Sequence, residues 1–136
     1  MSGKELLFFR FVFIAASTWN LTGAIFGYFN PGYTFMNLFG RELTDPLFYS
    51  IYKGAWGTTF LYFFGYLFVS YNPEKHTGIV ILGVIGKIGY VISLYKLFSD
   101  GLANSNVVII IVGDMIFAMI FLYYFYRLIR LKIRIL

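Results

Sequence analysis

Four polar side chains interrupt otherwise apolar runs of this chain: Asn20, Lys53, Lys87 and Asp114. The sharpest case is LGVIGKIGYVIS, residues 82–93, in which Lys87 is the only charge. A lysine and an aspartate can form an ion pair. An asparagine amide and the Tyr90 hydroxyl, one helical turn beyond Lys87, can complete its hydrogen bonds. With both lysines charged and Asp114 ionised, the set carries a net positive charge, which suits an anion or a polarised carbonyl. Asn20, Lys53, Lys87, Tyr90 and Asp114 are therefore the candidate ligand-binding residues. Other readings stay open: Lys87 and Asp114 as an ion pair that sets helix register, the same two as a proton relay, and Tyr90 as an ordinary packing tyrosine.

The remaining composition excludes most catalytic chemistry. The chain has no cysteine, one histidine and six acidic residues scattered along it, so thiolate nucleophiles, disulfides and a metal site are not expected. His76 lies in NPEKHTG, a polar connection, away from the candidate residues, and no Ser-His or Cys-His system can be assembled. GVIGKIG lacks the glycine spacing and the Ser or Thr of a phosphate loop. No haem ligand pair is available. A non-catalytic protein without a cofactor is the expectation.

The elements that must hold these residues are membrane helices. Hydrophobic residues make up 60% of the 136 and charged residues 12%, against roughly a half and a quarter in soluble domains. Lipid must solvate most of such a surface. A span needs about 20 mostly apolar residues, and the segments 6–29, 46–71, 77–98 and 106–126 qualify. NPG at residues 30–32 ends the first, Asp45-Pro46 starts the second, Asn72-Pro73 ends it, and SDG at 99–101 ends the third. Residues 32–43 are too short to cross and carry one apolar side, so they are expected to form an interfacial helix. The N-terminal apolar run is too long for a cleavable signal and is read as a retained helix. The expected fold is an all-α membrane protein: one domain over residues 1–136, with four transmembrane helices in an antiparallel bundle and a basic tail at 127–136.

Charge sets the expected direction. Lys4, Arg10, Lys75, Arg127, Arg130, Lys132 and Arg134 fall at one end of this arrangement, Arg41 and Lys96 at the other. The positive-inside rule then puts both termini in the cytoplasm, in an inner (plasma) membrane. The tail cations are assigned to anionic headgroups and not to nucleic acid. Counting from the non-cytoplasmic ends at about 1.5 Å per residue, Lys87 lies ~16 Å deep, Asn20 ~13 Å, Asp114 ~12 Å and Lys53 ~10 Å. One polar group per helix thus shares one slab, although Lys53 and Arg10 are near enough to the surfaces to snorkel. Gly23, Gly27, Gly54, Gly57, Gly83, Gly86 and Gly113 accompany these residues, and small residues let membrane helices approach closely. The faces that bear them are therefore expected to point inward, pairing Lys87 with Asp114. The chain holds 12 tyrosines and 17 phenylalanines. These are read as interfacial belts and helix packing, with a stacking platform for a flat, quinone-like ligand as the alternative.

The order of these features resembles the DoxX-like group of small bacterial four-helix membrane proteins across nearly the whole chain. The resemblance rests on Gly23, Gly27 and Pro31 in and after the first span, Gly54 and Gly57 in the second and Lys87 in the third. The SDG turn, Asp114 and the basic tail complete it. It implies a four-helix membrane fold. Some members are similar to membrane subunits linked to quinone-coupled sulfur oxidation or redox-stress complexes, but a chain without cysteine departs from direct thiol chemistry. The sequence thus leads to a membrane protein that binds a small amphipathic or anionic molecule and self-associates. The alternatives are an accessory subunit of a larger membrane complex and an oligomeric proton-coupled transporter or channel.

Overall fold

The computed structural model describes residues 1–133 and 135; Arg134 of the basic tail lies outside the described residues. Among the described residues the chain is all-helical, with α1 (Gly3–Gly27), α2 (Pro31–Phe39), α3 (Pro46–Tyr71), α4 (Thr77–Ser99) and α5 (Val107–Arg130). Local chemistry explains most boundaries. The Ser2 hydroxyl accepts from the Glu5 amide while the Glu5 carboxylate accepts from the Ser2 amide, each at 3.3 Å. This capping box starts α1 earlier than residue 6. Pro31 opens α2, and Gly40 closes it at φ 66°, a conformation glycine adopts without steric cost. Asp45 Oδ1 accepts from the amides of Leu47 and Phe48 at 2.8 and 3.1 Å and caps α3. Helix α5 runs on past residue 126, so Arg127 and Arg130 of the tail are helical. Arginine is a good helix former, and its charge suits the carbonyl end of a helix.

Helices α1, α4 and α5 are long and apolar enough to cross a membrane, with mean hydropathy of 1.3, 1.9 and 2.4 over their best windows. The chain is on this ground a membrane protein. Helix α3 has 26 residues but falls short of that apolar level, because tyrosine, glycine, serine and threonine occupy many of its positions.

The helices associate as two close pairs, α1 with α3 and α4 with α5. Along the first pair, residue numbers rise on one helix as they fall on the other. Ser17 Oγ donates to the Phe63 carbonyl at 2.8 Å, Asn20 Nδ2 to that of Thr59 at 3.3 Å, and Gly27 lies under the Trp56 ring. A Cβ at Gly27 would overlap that ring, so the missing side chain is what admits the tryptophan.

Bulky side chains join the two pairs. Phe9, Phe13, Tyr66, Phe121 and Tyr124 form an aromatic layer with centroid separations of 5.2–5.3 Å for Phe9–Tyr124, Phe13–Phe121, Phe13–Tyr124 and Tyr66–Phe121. The Tyr124 hydroxyl donates to the Pro73 carbonyl. Toward the other end, Leu38, Trp56, Leu94 and Val107 make a smaller cluster. Hydrogen bonds hold helix α2 there. Thr34 Oγ1 donates to the Phe26 carbonyl, and the side-chain amides of Asn104 and Asn106 donate to the Asn37 carbonyl at 3.2 and 3.1 Å. The opposite end is tied by ion pairs of the Met1 ammonium with Glu74 at 2.7 Å and of Arg127 with Glu5 at 2.6 Å. The polar residues sit between the two apolar clusters.

Candidate functional site

Lys87 is placed by its own helix and by a glycine one turn earlier. Gly83 leaves room for the Tyr66 side chain, which a Cβ there would strike. The Lys87 ammonium reaches Asp114 Oδ1 on α5 at 2.6 Å and Asn20 Oδ1 on α1 at 3.3 Å. Because the Asn20 amide donates to the Thr59 carbonyl, its oxygen is the atom turned toward the lysine. Trp19 Nε1 donates to Asp114 Oδ1 at 3.0 Å, and its ring fits against Gly113, where a Cβ would collide with it. The Tyr66 and Phe117 rings lie 5.9 and 5.6 Å from Lys87 Nζ, within cation–π range. Lys87 and Asp114 are each 7% exposed. The pair is thus a desolvated one, held by further hydrogen bonds on both sides, which is the condition for a buried ion pair to be tolerated.

The charges are not sealed on every side. A cleft of about 910 Å³, lined by residues from all five helices, has Trp19, Asn20, Lys87 and Asp114 in its wall. Asp114 Oδ1 takes both hydrogen bonds. Oδ2 accepts none from the described residues, on a side chain that lines the cleft. Apolar and aromatic groups line most of the remainder, among them Phe26, Trp56, Leu94, Ile109 and Ile110. The Trp56 and Tyr90 rings meet edge to face at 6.2 Å. Tyr52 also lines the cleft, and its hydroxyl is buried without a partner. Gly86 and Gly89 have nothing within 4 Å of where a Cβ would stand, so on this face α4 leaves space. A separate hollow of about 480 Å³, beside the α2–α3 connection, is lined by Phe35, Arg41, Asp45 and Tyr52 and holds none of the buried charge.

The structure therefore brings together Asn20, Lys87 and Asp114, three of the four side chains expected to share the slab. Tyr90 lines the same cleft without a hydrogen bond to the pair. Lys53 is not part of the site: it is exposed, with its ammonium 5.1 Å from the Tyr28 ring centroid. Tyr52 and Trp56 occupy the cleft-facing side of α3, which turns Lys53 away toward α1. Without Lys53 the cluster is charge-balanced, and the expected net positive charge is lost. The glycine expectation divides in the same way. Gly23, Gly27, Gly83 and Gly113 accommodate neighbouring side chains, whereas Gly54 and Gly86 face open space.

Trp19, Thr59, Tyr66 and Phe117 are the site residues that sequence reasoning missed. Trp19 carried a legible signal: an indole N–H within an apolar span needs an acceptor, and Gly113 beside Asp114 marks the gap that its ring fills. The roles of the Thr59 carbonyl and the two rings follow from tertiary packing alone. No family model, curated protein or solved structure matches this chain.

Proposed function

We propose that this protein crosses an inner (plasma) membrane four times as an antiparallel bundle, with both termini cytoplasmic, and binds a small amphipathic molecule in its cleft without transforming it. The observation that carries the binding reading is the buried Lys87–Asp114 pair bordering an open, mostly apolar cleft. Intramembrane ionisable residues are expensive and are functional candidates by default. An apolar cavity with a few convergent polar groups is the usual form of a small-molecule site.

Support for a fourth span comes from α3 lying along α1, from Gly27 against Trp56 to the Arg10 guanidinium donating to the Tyr71 carbonyl at 3.3 Å. A helix that follows α1 over its length crosses whatever α1 crosses. Leu61, Phe64, Leu67 and Phe68 of α3 face outward, as a lipid-facing side requires. The grouping of Lys4, Lys75, Arg127 and Arg130 at one end supports the orientation, and the resemblance to DoxX-like proteins supports the four-helix fold.

Native mass spectra of the gently extracted protein test the reading. The wild type should carry a small molecule that the Lys87→Met/Asp114→Leu variant has lost. A ligand-free oligomer for both would discard it. A second reading is an accessory subunit of a larger membrane complex. It is favoured by the open face of Gly54, which lies outside the cleft, and a stoichiometric partner protein in the same spectra would select it.

A further inference from the structure

The chemistry of the cleft wall narrows what it can take, given the reading of the cleft as a binding site. We infer that its occupant is an uncharged amphiphile with a hydroxyl headgroup, seated against the Lys87–Asp114 pair with its apolar body running toward α2. Lys87 spends two of its three N–H donors, on Asp114 Oδ1 and Asn20 Oδ1. Asp114 spends one oxygen, Oδ1, on Lys87 and Trp19, and leaves Oδ2 without a donor among the described residues, on a side chain that lines the cleft. The wall therefore offers a spare cationic donor beside a spare anionic acceptor. A hydroxyl satisfies both at once, since its oxygen accepts from Lys87 while its O–H donates to Oδ2.

Neither kind of ion can do this. An anionic headgroup that approached Lys87 would meet the Asp114 carboxylate, and a cationic one that approached Asp114 would meet the ammonium. Because Lys53 stands outside the site, no third charge tips the balance. Like charges at such distances in a poorly solvated site are strongly unfavourable.

The body of the ligand follows from the walls. Along α5, Asp114 and Asn106 both border the cleft, and at 1.5 Å per residue they are about 12 Å apart. Between them lie Ile109, Ile110, Leu94 and Trp56, so the space beyond the headgroup suits an alkyl or ring system of that length.

Trp19 and Trp56 are the two tryptophans of the chain, and both line the cleft. Quenching of their fluorescence by bromine-tagged analogues therefore reads occupancy directly. The purified full chain would be titrated with bromine-tagged decanol, decylsulfonate and decyltrimethylammonium, which share an alkyl length and differ in fixed headgroup charge. The expected result is saturable quenching by the alcohol at a concentration at least about tenfold below that of either ion, a margin of about 1.4 kcal/mol. Asp114→Asn keeps the shape but leaves the Lys87 charge unopposed, and should turn the preference to the sulfonate. Lys87→Met/Asp114→Leu, in which no buried charge is stranded, should abolish discrimination by headgroup. Tighter binding of either ion to the wild type, or an alcohol preference that survives in the double variant, overturns the inference while leaving the cleft a binding site. Absence of saturable quenching by any of the three overturns the binding reading as well.

Discussion

At the scale of single residues, the arrangement around Lys87 separates the cost of a buried charge from the cost of a stranded one. Lys87 and Asp114 satisfy each other at 2.6 Å, with Asn20 and Trp19 completing the set. Removing one partner leaves the other buried and unpaired, typically a loss of about 3–5 kcal/mol, whereas replacing both by apolar groups is often near neutral. Lys87→Met alone should therefore lower the unfolding midpoint in detergent sharply, and Lys87→Met/Asp114→Leu should recover most of it. Equal destabilisation by the single and double changes would mean that the pair is not coupled. Trp19→Phe removes one hydrogen bond to a charged acceptor and also shrinks the ring packed over Gly113, so it should cost at least about 1.5–3 kcal/mol. A midpoint unchanged by Trp19→Phe would argue against the indole bond to Asp114.

At the scale of elements, the glycines are not equivalent, although on paper they form similar small-residue faces. Gly27 and Gly113 carry the Trp56 and Trp19 rings directly over their backbones. Alanine at either should displace the indole and cost about 1–3 kcal/mol by overpacking. Gly54 faces open space, so Gly54→Ala should be neutral or stabilising by about 0.5–1 kcal/mol through helix propensity. Thermal unfolding of the three single variants checks the order, and a Gly54→Ala variant that is less stable than Gly27→Ala would reverse it. Helix α3 illustrates how composition hides a role. Its tyrosines and small residues lower its hydropathy, yet those residues supply Trp56, Thr59 and Tyr66 to the site and its wall.

At the scale of the whole molecule, the ties at each end predict a topology. Met1 with Glu74 and Glu5 with Arg127 gather the N-terminus, the α3–α4 connection and the end of α5. Asn37 with Asn104 and Asn106 gathers α2 and the α4–α5 connection at the other end. Because the chain has no cysteine, single cysteines can report the side directly. Ser2→Cys and Lys75→Cys should resist a membrane-impermeant thiol reagent added outside intact cells, and Met36→Cys should react. Labelling of Ser2→Cys and Met36→Cys from the same side would defeat the four-span topology.

The all-helical class, the Asp45 cap and the identity of the charged pair were legible in the sequence, whereas the Ser2–Glu5 capping box and the Gly40 cap were not read from it. Apolar runs bounded by Asp45-Pro46, Asn72-Pro73 and Ser99-Asp100-Gly101 define helices without reference to any neighbour. A lysine and an aspartate at similar depth in successive helices have few other partners. Composition and charge led to four expected spans, and three helices, α1, α4 and α5, are long and apolar enough to cross a membrane. The rest depended on rotation and separation, which a linear pattern does not carry. Lys53 was expected in the same slab as Lys87 but leaves the site because Tyr52 and Trp56 take the cleft-facing side of α3. Gly86 matches Gly83 in type yet meets open space where Gly83 meets Tyr66. The cleft itself belongs to no segment. It exists because aromatic side chains hold two close helix pairs apart near the termini, while small residues leave the space around Lys87 unfilled. Only the packed structure could decide that Asp114 spends one oxygen on both bonds and leaves the other without a donor among the described residues.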